Sequence, residues 1–138
     1  MIDFILEKFT DITSKCLDKK AKEYEANKIN MQLVFKLNKD EDAEYLIYKD
    51  YQPKKNISFL EVLGVKLDFK GYSLFVPKFI KGALVRFCEE FDIDKDKVRV
   101  LLNFNDNNDL LLFLYNSNEF VKQVELESLF DGEDMIEQ

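Results

Sequence analysis

Apolar and polar positions change their period several times along the chain, and each change marks an element. From Ile2 to about Ala26, the residues Ile2, Ile5, Leu6, Phe9, Ile12, Cys16 and Tyr24 fall near one face at helical spacing. Lys8, Lys15, Lys19, Lys22 and Glu23 fill the remainder, and no Gly or Pro interrupts the stretch. A helix is predicted, stopping near Asn27. Between Ile29 and Asn38 the period drops to two. Ile29, Met31, Leu33, Phe35 and Leu37 alternate with Asn30, Gln32, Lys36 and Asn38, as in a half-buried strand. "KDED" turns the chain, and Ala43 to Tyr48 returns as a second strand. "YQPKKN" reads as a loop, because Pro53 bars a central strand. Ser58, with Glu61 three residues on, forms a capping-box pattern for one short helix over 57–63.

"VKLDFKGYSLFV" splits around Lys70-Gly71 into a predicted hairpin. It sets Val65, Leu67 and Phe69 against Val76, Leu74 and Tyr72 on one face. Pro77 then suits the first turn of a second helix. The apolar stripe of that helix is Phe79, Ile80, Ala83, Leu84, Phe87, Cys88 and Phe91. "KVRVLLNFNDNNDLLLFLYN" reads as another hairpin. With Asn107-Asn108 as its turn, Val100, Leu102 and Phe104 face Tyr115, Phe113 and Leu111 on the core side. The opposite face then collects Leu101, Leu112 and Leu114, which a solvated surface should not hold together. The first helix, the last element, a second copy of the chain or a foreign partner would have to cover them. Residues 120–130 form a last strand or short helix, and 131–138 an acidic flexible tail.

The pattern repeats at an offset of 67 positions. Met31, Leu33, Phe35 and Leu37 land on Val98, Val100, Leu102 and Phe104, while Asn38, Asp42 and Tyr48 land on residues of the same type, Asn105, Asp109 and Tyr115. "LEVL" at 60–63 echoes "LESL" at 126–129, at an offset of 66. The expected fold is α+β: two helices packed on antiparallel β-sheet, in the order α-β-β-(short α)-β-β-α-β-β-(β or short α). Residues 1–130 form one domain, with an α-β-β duplication giving pseudo-repeats 2–64 and 77–130.

Composition narrows the function. The chain has 138 residues, 46% hydrophobic and 14% aromatic, enough for one packed domain. The formal net charge of −7 is uneven: residues 1–88 hold 16 Lys+Arg against 13 Asp+Glu, and residues 89–138 hold 4 against 14. An acidic final third repels nucleic-acid backbones and anionic membranes and attracts basic partners. The N-terminal "MIDFILEKF" lacks the basic region of a signal peptide, and no apolar run reaches a membrane span. Cys16 and Cys88 fall on the apolar sides of the two helices and are expected to be buried thiols. A cytoplasmic protein is expected.

Candidate chemistry is sparse. With no histidine, the commonest general base and zinc ligand are missing. Asp92, Asp94 and Asp96 have the spacing that opens a calcium loop, but Lys97 stands where its glycine belongs and Asn103 where its closing glutamate belongs. The basic face Lys15, Lys19 and Lys22 is interleaved with acids and reads as solvated. No catalytic residue, metal site or cofactor is expected, and direct nucleic-acid binding is not expected.

The reading is a non-enzymatic binding protein. It would neutralise a basic, nucleic-acid-handling target in the manner of immunity, anti-restriction or anti-CRISPR proteins. Asp106, Asp109, Glu125, Glu127, Glu133 and Asp134 would contact the partner, and Leu101, Leu112 and Leu114 would form an apolar partner or dimer patch. Two alternatives stand beside it: a small acidic secretion-type chaperone, and an enzyme of unspecified chemistry. The order of an N-terminal helix, strands, a second helix and more strands resembles the class I type III secretion chaperones. That resemblance rests on element order and acidity without a shared motif. It implies a cytosolic homodimer holding an unfolded segment of another protein.

Overall fold

The computed structural model describes residues 2–64 and 72–130. The predicted first helix is α1 (Ile2–Glu23). A single 3-10 turn (Lys28–Asn30) leads into β1 (Met31–Leu37), followed by β2 (Ala43–Lys49), β3 (Gln52–Ile57) and the short α2 (Phe59–Leu63). Next come α3 (Tyr72–Phe91), β4 (Val98–Phe104), β5 (Leu110–Asn116), β6 (Glu119–Val124) and a 3-10 turn over Leu126–Leu129. The six strands form one antiparallel sheet in the order β3-β2-β1-β4-β5-β6. The α+β class and the helices-on-sheet arrangement are as expected.

The core lies between the helices and one face of the sheet. Odd-numbered residues of β1 (Met31, Leu33, Phe35, Leu37) and even-numbered residues of β4 (Val98, Val100, Leu102, Phe104) supply its floor. Phe9, Ile12, Cys16 and Leu17 of α1 and Val76, Ile80, Leu84 and Phe87 of α3 close it from above. Phe9 meets Phe35 and Phe130 edge-on at 6.1 and 5.4 Å between ring centroids, a favoured aromatic geometry. Ser58 caps α2 by accepting from the Glu61 amide at 3.1 Å, and Gly64 ends it at φ 64°, where a left-handed residue closes a helix.

The strands of the two halves correspond in sequence number. Each strand of the first half has its counterpart 67 residues on, bound for bound. Both halves carry a bulge at matching positions, between Ile47 and Tyr48 and between Leu114 and Tyr115. Left-handed residues coincide as well: Glu25 with Asp92, Glu41 with Asn108, Asp50 with Ser117. In both hairpin loops an asparagine oxygen accepts two backbone amides. Asn38 takes those of Asp40 and Asp42 at 2.8 and 3.0 Å, and Asn105 those of Asn107 and Asp109, both at 2.9 Å. β1 and β4 pair so that Val34 faces Leu101, its own counterpart. A pseudo-two-fold axis therefore passes through that pair.

Several expectations need correction. The second arm of the predicted hairpin, 72–76, is the start of α3; its first arm, 65–71, lies outside the described residues. Helical geometry separates Leu74, 72% exposed, from Val76, fully buried, which a strand would place on one face. Pro77 consequently sits inside α3. "YQPKKN" supplies β3, tolerated because β3 is an edge strand. Residues 120–130 contribute both options, a strand and then a 3-10 turn. The equivalence of the short elements is 67, not 66: Val62 and Leu63 match Leu129 and Phe130, all buried.

The β4–β5 register also differs. The loop spans 105–109, not two residues, so Leu102 pairs with Leu112 and Val100 with Leu114. A one-residue shift moves every β5 side chain to the other face. Leu112 and Leu114 belong to the core, and Leu101 alone of the three faces away from the helices.

Candidate functional site

The outer face of the sheet has no helix packed on it among the described residues. Across its middle the ladders align Leu46, Val34, Leu101 and Phe113 into an apolar row, ended by Asn56 and Gln123. Val34 is only 1% and Leu101 5% exposed, although no element covers them. Side chains from the same sheet shelter them. Tyr48, Tyr51 and Tyr115 line a cavity of about 300 Å³ with Val34, Leu101, Gln52, Arg99, Ser117 and Asn118. The cavity is centred on the pseudo-two-fold axis, with Tyr48 the counterpart of Tyr115 and Tyr51 of Asn118. Beyond it, Phe120 is 57% exposed and packs edge-on with Phe113 and Tyr115 at 6.1 and 5.9 Å.

Tyr51 is tethered at two points. Its amide donates to Gln32 Oε1 at 2.9 Å, and its hydroxyl lies 3.4 Å from the Asn103 side-chain amide. With its nitrogen turned inward, Asn103 donates to the Ile29 and Met31 carbonyls at 3.1 and 3.2 Å, leaving its oxygen for the Tyr51 hydroxyl. Burial raises the Tyr115 hydroxyl above the usual tyrosine value, and the neighbouring Tyr51 adds to the shift. The Tyr115 phenol is therefore a neutral hydrogen-bonding group at neutral pH.

Asp106 and Asp109 are exposed in the β4–β5 loop, and Glu125 and Glu127 are exposed beyond β6. The β5–β6 ladder brings these two segments to one end of the sheet. Glu133 and Asp134 lie outside the described residues. The acidic third is not one patch, however. Asp92, Asp94 and Asp96 precede β4, and with Glu119 they gather at the opposite end, where Asp94 pairs with Lys97 at 3.5 Å.

Other polar features belong to the fold. Lys20, 2% exposed, bonds Glu61 of α2 and Glu23. Burial alone would lower its pKa, but these carboxylates overcome that and raise it. Sequence reading passed over Lys20, although it continues the buried series Phe9, Thr13, Cys16, Leu17 at helical spacing. Cys16 and Cys88 are buried free thiols, and desolvation pushes Cys16 up to about 11, far from reactive. A shallow hollow of about 670 Å³ at the β1–β2 loop is walled by charges that pair with one another, Lys95 with Glu41 and Lys36 with Glu44. Among the described residues no group of acidic or cysteine side chains is arranged to hold a metal, and no helix is long and apolar enough to cross a membrane. No family model, curated protein or solved structure matches the chain.

Proposed function

We propose that this chain is a non-catalytic protein-binding module that neutralises a basic target through the outer face of its sheet. One observation carries the reading: an antiparallel sheet whose second face carries an apolar and aromatic row that no described helix covers. Protein interfaces combine an apolar, aromatic centre with a polar rim. Here Leu46, Phe113, Tyr115 and Phe120 supply the centre, and Asp106, Asp109, Glu125 and Glu127 supply a rim at one end. Acidic rim residues select a basic partner and accelerate its approach, while the aromatic anchors hold it. The reading is of an inhibitor in the manner of immunity, anti-restriction or anti-CRISPR proteins.

The test uses the full chain as bait in extract of the cell that makes it, with three variants: wild type, Phe113→Asp/Phe120→Asp, and Asp106→Asn/Asp109→Asn/Glu125→Gln/Glu127→Gln. The reading expects one basic protein retained by wild type. The aspartate variant should lose it at every salt concentration. The neutralised variant should retain it more weakly and with less salt sensitivity. Equal retention by all three would overturn the reading. An extended, apolar segment bound without salt dependence would favour the chaperone alternative.

A further inference from the structure

The cavity on the pseudo-two-fold axis holds two features that the fold does not require. The first is Tyr51. It is the second of two consecutive left-handed residues, Asp50 at φ 51° and Tyr51 at φ 65°, in the turn joining β2 to β3. Such turns favour Asn and Gly, and a bulky aromatic there is strained. The matching turn of the second unit has one left-handed residue, Ser117, followed by Asn118 outside that region, so the scaffold joins these strands without a left-handed tyrosine. Strain retained where the surroundings hold it in place marks functional positions. Gln32 and Asn103 do that holding, and Tyr51 remains 53% exposed over the cavity.

The second feature is Arg99, where the first unit has Gln32. It carries the single formal charge among the residues lining the cavity. Nη1 donates to the Asp96 and Val98 carbonyls at 3.1 and 2.9 Å. Among the described residues, Nη2 and Nε have no partner, and no carboxylate forms an ion pair with the guanidinium. Lys36, its cross-strand neighbour, is matched by Glu44 at 3.8 Å, so Arg99 is the uncompensated cation.

We infer that this cavity binds a small aromatic carboxylate. Val34 and Leu101 lie at its apolar floor and three tyrosines line its walls, which together suit an aromatic body. About 300 Å³ is at the small end of ligand cavities. Arg99 fixes the sign of the charge. A cage of tyrosines alone would favour a cation, but a guanidinium in the same wall repels one and offers a carboxylate its free donors. This site goes beyond the protein-binding reading and does not depend on it.

The test titrates the full chain with benzoate and indole-3-carboxylate, and with benzylammonium as the ring of opposite charge. Binding is read by calorimetry and by amide shifts in two-dimensional NMR spectra. At least one carboxylate should saturate, with shifts centred on Val34, Tyr51, Arg99, Leu101 and Tyr115, and benzylammonium should not. Tyr51→Asn and Arg99→Gln each install the residue type carried by the other unit. Both should keep the wild-type spectrum elsewhere and bind at least tenfold more weakly, and Tyr51→Asn should melt no lower than wild type. Failure of both carboxylates to saturate would overturn the inference, as would tighter binding of benzylammonium or full affinity in both variants. Should either variant fail to fold, the shift map on the wild-type chain decides.

Discussion

The two units share a backbone plan but bury different chemistry in it. Where the second unit buries Ile80, Phe87 and Leu112, the first buries Thr13, Lys20 and Tyr45. The Tyr45 hydroxyl has no partner among the described residues, and Thr13 satisfies its own by bonding the Phe9 carbonyl at 2.8 Å. The edges differ too. β3 presents Pro53, Lys54 and Lys55, devices that prevent further strand pairing, whereas β6 offers Phe120, Val121 and Lys122 at the same places. Period and loop chemistry fix the plan, because they are what the units have in common. What differs marks where each half has been adapted: the first guards its edge, and the second carries exposed aromatics. We propose that the plan arose by duplication of one α-β-β-β-α unit.

The largest expected effect tests the shared plan itself. Phe35 and Leu102 are counterparts and both fully buried. Phe35→Ala should cost about 3–5 kcal/mol and Leu102→Ala about 2–5 kcal/mol, read as a drop in the urea midpoint. If either cost less than about 0.5 kcal/mol, the two positions would not share one core.

A smaller effect concerns the polar exception. Glu61→Gln leaves buried Lys20 with weaker partners and should cost about 1–3 kcal/mol. Lys20→Met, which approaches the apolar Phe87 of the second unit, should be neutral or stabilising. The Lys20 hydrogen bond holds the Glu61 carboxyl below the usual range, so its contribution is present above about pH 4.3 and fades as pH falls through the lower folded value. Thermal melts between pH 3 and 7 should therefore fall less steeply on the acid side for Glu61→Gln than for wild type.

The smallest effect separates two matching ties. Lys28 and its counterpart Lys95 each reach the other unit's hairpin loop, Lys28 to Asn108 at 3.0 Å and Lys95 to Glu41 at 2.9 Å. Lys28 is 19% exposed and also lies 4.3 Å from the Phe104 ring centroid, whereas Lys95 is 50% exposed. Lys28→Ala should lower the melting temperature more than Lys95→Ala, and the Lys95→Ala effect should vanish in high salt. Equal shifts would show that the additional Lys28 contacts, with the Phe104 ring, Ser14 and Asp18, add nothing.

Much of the fold was legible because period survives substitution. α1, β1, β2, β4 and the Ser58 cap follow from spacing alone. Two errors came from trusting local turn rules over the repeat. The five-residue Asn38–Asp42 loop, carried forward by 67, would have set 105–109 as the second loop and placed Leu112 and Leu114 in the core. "YSLFV" alternates like a strand yet continues the α3 stripe backward, and its counterpart 67 residues earlier, 5–9, lies within α1. The site was half visible. Leu101 called for a cover, but the cover comes from Tyr48, Tyr51 and Tyr115, brought over the axis by strand order that a single sequence does not reveal.

The most direct test of the outer face as the working surface is site-specific photo-crosslinking in the cell that makes the protein. A photoreactive residue replaces Phe113 in one version and Lys15, exposed on α1, in the other. The account predicts a single basic protein attached through position 113 and none through position 15. Attachment of the same partner through position 15, with none at 113, would contradict it.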